Sequence, residues 1–413
     1  MTASIAARLA AAGLPPLPRT AWLELDLDAL TGNLAAVRRL AGSDAAILPV
    51  VKADAYGHGV IPIARALEAA GADGFCVAAV DEALALRHGG IDGPIRVLYP
   101  SPPALVASAL GEGITVNAGD LDALAATLAA LAAAADGPQR LEIEIEVETG
   151  LGRGGLVPGE AVEAARRIGR VPRALLSGLW THLQASEDPE RTRVQLDRFE
   201  GVARDLRAAG IDLPGRHVAA SGGLLTEIVA YDGVRPGLSI YGLLPDELDG
   251  AELGAAGAAF AAAIRPVMSL HAQPVRVADV AVGDGVSYGP TWRATRPSRV
   301  ATLPLGYGDG YTRAFSNRGE ALVRGRRVPV VGNVAMDATM VDVTDVPGPP
   351  VTIEDVFVLL GEQGGERISA GDLARLRTTN RWEVTTQMAA RLPRVYDAAS
   401  APVDLWTLTG RRG

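Results

Sequence analysis

Of the 39 lysine and arginine residues in this chain, only Lys52 is a lysine. It follows the apolar run ILPVV and opens the stretch KADAYGHG, which holds Tyr56, Gly57, His58 and Gly59. A guanidinium keeps its proton at any ordinary pH, whereas an ammonium loses one when it is desolvated or set beside another cation. In a chain that uses arginine wherever charge is wanted, the one lysine reads as an amine that has to become neutral. The chemistry is that of a nucleophile forming an imine with a carbonyl cofactor, or of a base. The competing reading is a solvated loop lysine.

Other candidates lie further along. The stretch TGLGRGG, residues 149–155, matches G-x-G-x-x-G behind the apolar run EIEIEV. A dinucleotide site would also need an acidic residue about 20 positions on and a helix opening directly at the glycines. The first place is taken by IGRVPRALLSGLW, and Pro158 with Gly159 interrupts the second. The segment reads instead as a loop that carries Arg153 to an anionic group. His182 in LWTHLQAS follows a strand-like run, where a satisfied core histidine would look the same. Ser221 in AASGG, and Gly237 and Leu238 in VRPGLSIYG, offer a small side chain and backbone N–H groups that suit a phosphate. The five histidines show no ligand spacing and Cys76 is single, so neither a metal site nor an internal disulfide is indicated.

The elements that must position these residues follow a rhythm. From about residue 45 to 240, short β-branched runs such as AAILPVV, DGFCVAAV, GITVNAG and RLEIEIEVETG alternate with alanine-rich amphipathic stretches. This is the pattern of parallel βα units, in a doubly wound sheet or a closed barrel. Lys52, Arg153, His182, Ser221 and Arg235 each fall just past a different predicted strand, which favours an α/β fold of the (β/α)8 TIM barrel type. After about residue 258 short strands with Gly and Pro turns take over, predicting a C-terminal mostly β domain. The expected division is therefore a barrel over 1–257 and a β domain over 258–413. The early strand near 21–28 could join either.

Composition sets outer bounds. A formal charge of −9 and a pI near 5.2 provide no basic field for nucleic acid or an anionic membrane. The Ala-rich run between Asp122 and Asp136 falls short of the roughly 20 residues of a membrane span. The first 20 residues lack the basic opening of a signal peptide. The single cysteine fits a reducing compartment, so a cytoplasmic location is expected.

Taken in order, VVKADAYGHG, ETGLGRGG, WTHLQAS, ASGG, VRPGLSIYG, VSYGPTW, LPLGYGDGY, GNVAMDATMVDV and ARLPRVY resemble the bacterial alanine racemase family over nearly the whole chain. The resemblance implies pyridoxal 5'-phosphate as cofactor, an amino acid as substrate, and a homodimer with shared active sites that supplies D-alanine to peptidoglycan. Lys52 is implied to hold the cofactor and act as one base. Tyr288 of VSYGPTW is implied to be the opposite base, reaching in from a second subunit and supported by His182 and, through it, Arg235. Arg235 is implied to donate to the pyridine nitrogen. Tyr56, Ser221 and the backbone at Gly237 and Leu238 are implied to hold the phosphate, Arg153 and the Met336 N–H to receive the substrate carboxylate, and Tyr307 to stand at the site's entrance.

Three positions depart from the family pattern. Glu146 stands where many members carry a carbamylated lysine, so it is expected to supply the negative charge that orients Arg153. Ala220 and Ala390 replace an asparagine and a tyrosine, thinning the phosphate contacts and loosening the pocket. Two alternatives follow: a pyridoxal phosphate racemase of serine or a larger amino acid, and a related decarboxylase. Against the decarboxylase stand the intact Tyr288 segment and an arginine, in place of an acid, for the pyridine nitrogen.

Overall fold

Strand β1 (Ala21–Asp26) is almost wholly buried, yet it takes no part in the parallel sheet that follows it in sequence. That sheet comprises β2 (Ala46–Ile47), β3 (Phe75–Val77), β4 (Ile95–Val97), β5 (Ile114–Ala118), β6 (Leu141–Glu146), β7 (Ala174–Trp180), β8 (Arg216–Ala220) and β9 (Gly233–Arg235). In this computed structural model, residues 3–411 are described except 214, 229 and 252. The strands pair in parallel in the order β2-β9-β8-β7-β6-β5-β4-β3. A further parallel bridge from Val50 to Cys76 joins the end of the first strand to β3 and closes the ring. Helices such as Val60–Ala69, Leu121–Ala133 and Ala161–Gly169 follow the strands, and this is the (β/α)8 barrel expected from the sequence.

The chain divides into two units, one of residues 31–55 and 60–265 and one of residues 1–30, 56–59 and 266–413. The barrel belongs to the first. In the second, β1 pairs antiparallel with β10 (Met268–Ala272) and parallel with strand Arg394–Ala398, within a nine-stranded sheet. Strands Arg276–Val280, Ser298–Leu303 and Thr339–Asp342 form a separate antiparallel sheet, and Gly285–Val286 with Trp292–Arg293 a short ribbon. Val286 of that ribbon packs with Val300, Val331 and Met340 as a small apolar cluster. No helix among the described residues is long and apolar enough to cross a membrane.

The buried pattern of β6 differs from what its letters suggest. LEIEIE alternates as a half-exposed strand would, yet Glu144 and Glu146 are only 4% and 5% exposed. A barrel strand has two covered faces, so alternation here separates an aliphatic side from a polar interior side rather than core from solvent.

After Lys52 the backbone makes a left-handed turn: Ala53, Asp54, Ala55 and Tyr56 have φ of 52°, 56°, 53° and 53°. Each such non-glycine residue costs about 1–2 kcal/mol, so four in a row persist only under strong restraint. In the barrel unit Glu82 accepts from the Ala53 and Ala78 N–H groups, and Asp54 from that of Val60. In the other unit Arg394 donates twice to the Gly57 carbonyl and Tyr396 Oη to that of His58. Gly57 itself has φ 82°, and a Cβ there would lie 2.1 Å from the Thr385 carbonyl oxygen. Gly57→Ala is accordingly expected to cost about 2 kcal/mol or more, combining left-handed strain with displacement of the 385 backbone. Urea unfolding of the full-length variant against the unaltered protein measures this.

Candidate functional site

Within the barrel unit the reactive side chains gather at the C-terminal ends of the strands. Lys52 follows β2, Glu146 ends β6, His182 follows β7, Ser221 follows β8 and Arg235 ends β9. Burial, then the neighbouring Arg153, lowers the proton affinity of the Lys52 amine, with Glu82 opposing more weakly. The amine is thereby brought nearer to the neutral form that its exclusivity predicts. Burial, with Arg235, Arg153 and Lys52 nearby, holds His182 down to about 3, so it is a neutral imidazole at physiological pH. The Cys76 thiol, fully buried, is pushed up to about 11 and stays protonated as an inert part of the core.

Arg235 is 2% exposed and its guanidinium is nearly saturated. Nη1 donates to Nδ1 and to the carbonyl of His217, and Nη2 donates to the carbonyls of Thr181 and Val218. Among the described residues these four bonds leave only Nε–H without an acceptor. The guanidinium also lies 4.8 Å over the Trp180 ring, which stacks on His217 at 12°. The resemblance linked Arg235 to His182, whose proton affinity the Arg235 charge helps to lower; the histidine hydrogen-bonded to Arg235 is His217.

At the next strand end, the N–H groups of Gly237 and Ser239 both donate to Ser221 Oγ, at 2.9 and 3.2 Å, and Ser239 Oγ lies 3.0 Å from the same atom. The sequence expectation named Leu238; the second amide aimed at Ser221 is that of Ser239. Two N–H groups and two hydroxyls converging on one point can hold a phosphate. Ala220, at the end of β8, adds no polar group there.

Glu146 and Arg153 approach as an ion pair at 3.8 Å, longer than a hydrogen bond. Burial raises the proton affinity of Glu146, while a 2.8 Å bond from Asn117 and the charge of Arg153 pull it down; the net shift is upward. Arg153 sits 5.5 Å over the Tyr99 ring.

In the second unit Tyr288, Tyr307 and Met336 line one concavity of about 870 Å³ and are 80%, 45% and 52% exposed. Tyr288 follows Ser287, whose φ is 67°, and the turn is tied down where Ser287 donates to the Asn333 carbonyl and Asn333 donates to that of Tyr288. Asp309, fully buried in GYGDGY, accepts from Arg19 and doubly from Arg391, which also bonds Asp337 and the Met336 carbonyl. This clasp fixes Tyr307 and Met336 relative to each other. The Met336 N–H has no acceptor among the described residues. Tyr56 is buried, and its carbonyl accepts from His58 Nδ1.

The architecture is that of a two-domain α/β protein, a (β/α)8 barrel followed by a mostly β unit, with polar groups gathered at the C-terminal ends of the barrel strands. Residues 25–245 match the model of the alanine racemase N-terminal domain and residues 267–396 that of the C-terminal domain. The chain belongs to the alanine racemase family. It is 38% identical over 391 residues to the alanine racemase of Symbiobacterium thermophilum, covering 93% of this chain and 98% of that one. Its fold is similar to the crystal structure of alanine racemase from Bacillus anthracis with bound L-Ala-P, at TM-score 0.86 and 31% identity, with 96% of this chain and 99% of that one covered. It is also similar to histidine racemase from Leuconostoc mesenteroides, at TM-score 0.83 and 27% identity, covering 93% and 100%.

Sequence reasoning missed His217, Glu144, Arg96, Ser239, Asn117 and Asp309. The one signal that could have found some of them is the charged alternation EIEIE inside a predicted barrel strand.

The depressed pKa of His182 carries a sign. Folding holds this base neutral, so its contribution to stability is complete above the ordinary value of 6.5 and is lost as pH falls toward about 3. Between pH 7 and pH 5 the unaltered protein should lose up to about 2 kcal/mol more stability than His182→Gln, measured by urea unfolding at each pH.

Proposed function

We propose that the protein interconverts L-alanine and D-alanine by a two-base reaction on pyridoxal 5'-phosphate, in the cytoplasm, as a homodimer. The observation that carries this reading is Lys52: the chain's one lysine, brought toward neutrality at the mouth of the barrel. The residues present also fit the cofactor. Lys52 would hold its carbonyl carbon and the spare Nε–H of Arg235 its pyridine nitrogen. The converging groups at Ser221, Gly237 and Ser239, with Tyr56, would hold its phosphate. When bound, pyridoxal phosphate supplies a conjugated electron sink that acidifies the Cα–H of an attached amino acid.

Inversion needs a proton taken from one face of Cα and one delivered to the other, hence two bases. Lys52 serves one face. Tyr288 of the second subunit serves the other, its phenol assisted by the neutral His182. Arg235 would donate a hydrogen bond to the pyridine nitrogen while keeping its own proton, which would make the bound cofactor a moderate electron sink. Arg153 and the Met336 N–H receive the substrate carboxylate, and Glu146 gives Arg153 its counter-charge. Tyr307 lines the way in.

A second reading, a racemase for a larger amino acid, is favoured by the small Ala220 and by the similarity to a histidine racemase. Incubation with pyridoxal phosphate and L-alanine, L-serine or L-histidine in deuterated water separates the two. D-Alanine carrying deuterium at Cα is expected, with the other substrates at least tenfold slower. Absence of both D-isomer and exchange for every amino acid would sink the racemase reading. Lys52→Ala should lose about 10³-fold or more in rate and Tyr288→Phe about 10²-fold or more. Full two-way activity in either variant would remove that residue from its role.

A further inference from the structure

Four ionisable side chains form a continuous hydrogen-bonded line through the barrel interior: Arg96 on β4, Glu144 on β6, His217 on β8 and Arg235 on β9. The first three come from alternate strands, as the members of one interior layer of a barrel do. Arg96 Nε donates to Glu144 Oε1 at 2.9 Å, His217 Nε2 lies 3.0 Å from Glu144 Oε2, and Arg235 Nη1 meets His217 Nδ1. Glu144, His217 and Arg235 are 4%, 4% and 2% exposed. Gly178 on β7 makes room for the carboxylate, since a Cβ there would stand 3.0 Å from Glu144 Oε1 and 3.1 Å from its Cγ.

The proton positions follow from donor counting. A guanidinium has donors only, so His217 Nδ1, facing Arg235, must accept. A neutral imidazole with Nδ1 as acceptor carries its hydrogen on Nε2, which therefore donates to Glu144 Oε2. Protonated His217 would set an N–H against an N–H of Arg235. Burial accordingly keeps the imidazole proton affinity low despite the adjacent carboxylate. Burial works against ionising Glu144, but His217 and Arg96 outweigh it and hold the carboxyl down to about 2.

We propose that Glu144, supported by Arg96, is a positioning residue of the active site: it locks His217 in the Nε2–H tautomer and so orients Arg235 with its Nε–H toward the cofactor. Without an acceptor at Oε2 the His217 Nε2–H would be stranded in the barrel. The alternative tautomer would direct Nδ1–H at Arg235 and displace the guanidinium. The chain of contacts is independent of any bound molecule, but its consequence for the cofactor rests on the functional reading above.

The test uses full-length protein labelled with 15N-histidine, in which long-range 1H–15N spectra report the tautomer of each ring, with and without pyridoxal phosphate. His217 should appear as the pure Nε2–H tautomer at pH 7 in both. Glu144→Gln puts an amide where one carboxylate served two donors, so either Arg96 or His217 loses its acceptor. It should give a mixed or Nδ1–H tautomer, bind pyridoxal phosphate at least tenfold more weakly and lower kcat, with the KM for alanine changed less than threefold. A carboxylate that merely filled space would leave tautomer and cofactor affinity unchanged, and that result overturns the proposal. So does an imidazolium or an Nδ1–H tautomer in the unaltered protein, which settles the matter even where the variant fails to fold. Failure of the unaltered protein to bind pyridoxal phosphate would instead overturn the functional reading on which the second half rests.

Discussion

A guanidinium sealed inside a barrel constrains everything around it, because each N–H it turns inward needs an acceptor and its charge needs compensation nearby. Arg235 satisfies four N–H groups on the β7 and β8 segments, two of the acceptors belonging to His217 and two being the carbonyls of Thr181 and Val218. Compensation comes through His217 from Glu144, which is itself shared with Arg96. Removing one partner of such a buried pair typically costs about 3–5 kcal/mol, since the other is left charged and unsolvated. The interior layer therefore cannot drift toward apolar residues one position at a time. It persists as a unit, and its outer end is the one N–H of Arg235 left without an acceptor among the described residues.

The second constraint is the left-handed turn behind Lys52. Within the barrel unit this strain is held by Glu82, which accepts from the Ala53 N–H, and by the bond that Asp54 itself accepts from the Val60 N–H just beyond the turn. The backbone beside the lysine is thus restrained, while among the described residues its amine makes no hydrogen bond. Such an arrangement suits an amine that must change both its charge and its bonding during a reaction.

Much of this was legible in the letters. The βα rhythm from 45 to 240 predicts the barrel because both faces of its strands are covered, giving apolar runs at regular spacing. Lys52 stands out because a charge-only role would have been met by arginine. What remained hidden has specific causes. Glu144, His217 and Arg96 lie within strands, and an alternating EIEIE looks like a solvent-facing edge until the ring closes around it. The partner of β1 is over 240 residues away along the chain, as in the pairing of Leu25 with Met268, which no local pattern encodes. Gly57 and Gly59 announce a turn, but nothing in Ala53, Asp54 or Ala55 announces that it is left-handed. That the Ser239 amide donates to Ser221 Oγ is a matter of register within a 3-10 turn, below the reach of a motif.

The two arginines of the barrel mouth make the contrast that ties site to function. Arg235 is buried, stacked and bonded through four of its five N–H groups, so it can offer one further bond and nothing else. Arg153 makes no hydrogen bond among the described residues; it has a 3.8 Å ion pair to Glu146 and the face of Tyr99, and its side chain is 37% exposed. In its proposed role of receiving a carboxylate and releasing it each turnover, such a group would lose binding energy if it were already committed to a tight partner, because the cost of breaking that bond would be subtracted from binding. Glu146, whose proton affinity burial raises and whose carboxylate accepts from Asn117, stands 3.8 Å from Arg153, near it without a hydrogen bond that would capture it. Rigidity is placed where the cofactor would be oriented, and looseness where the substrate would come and go.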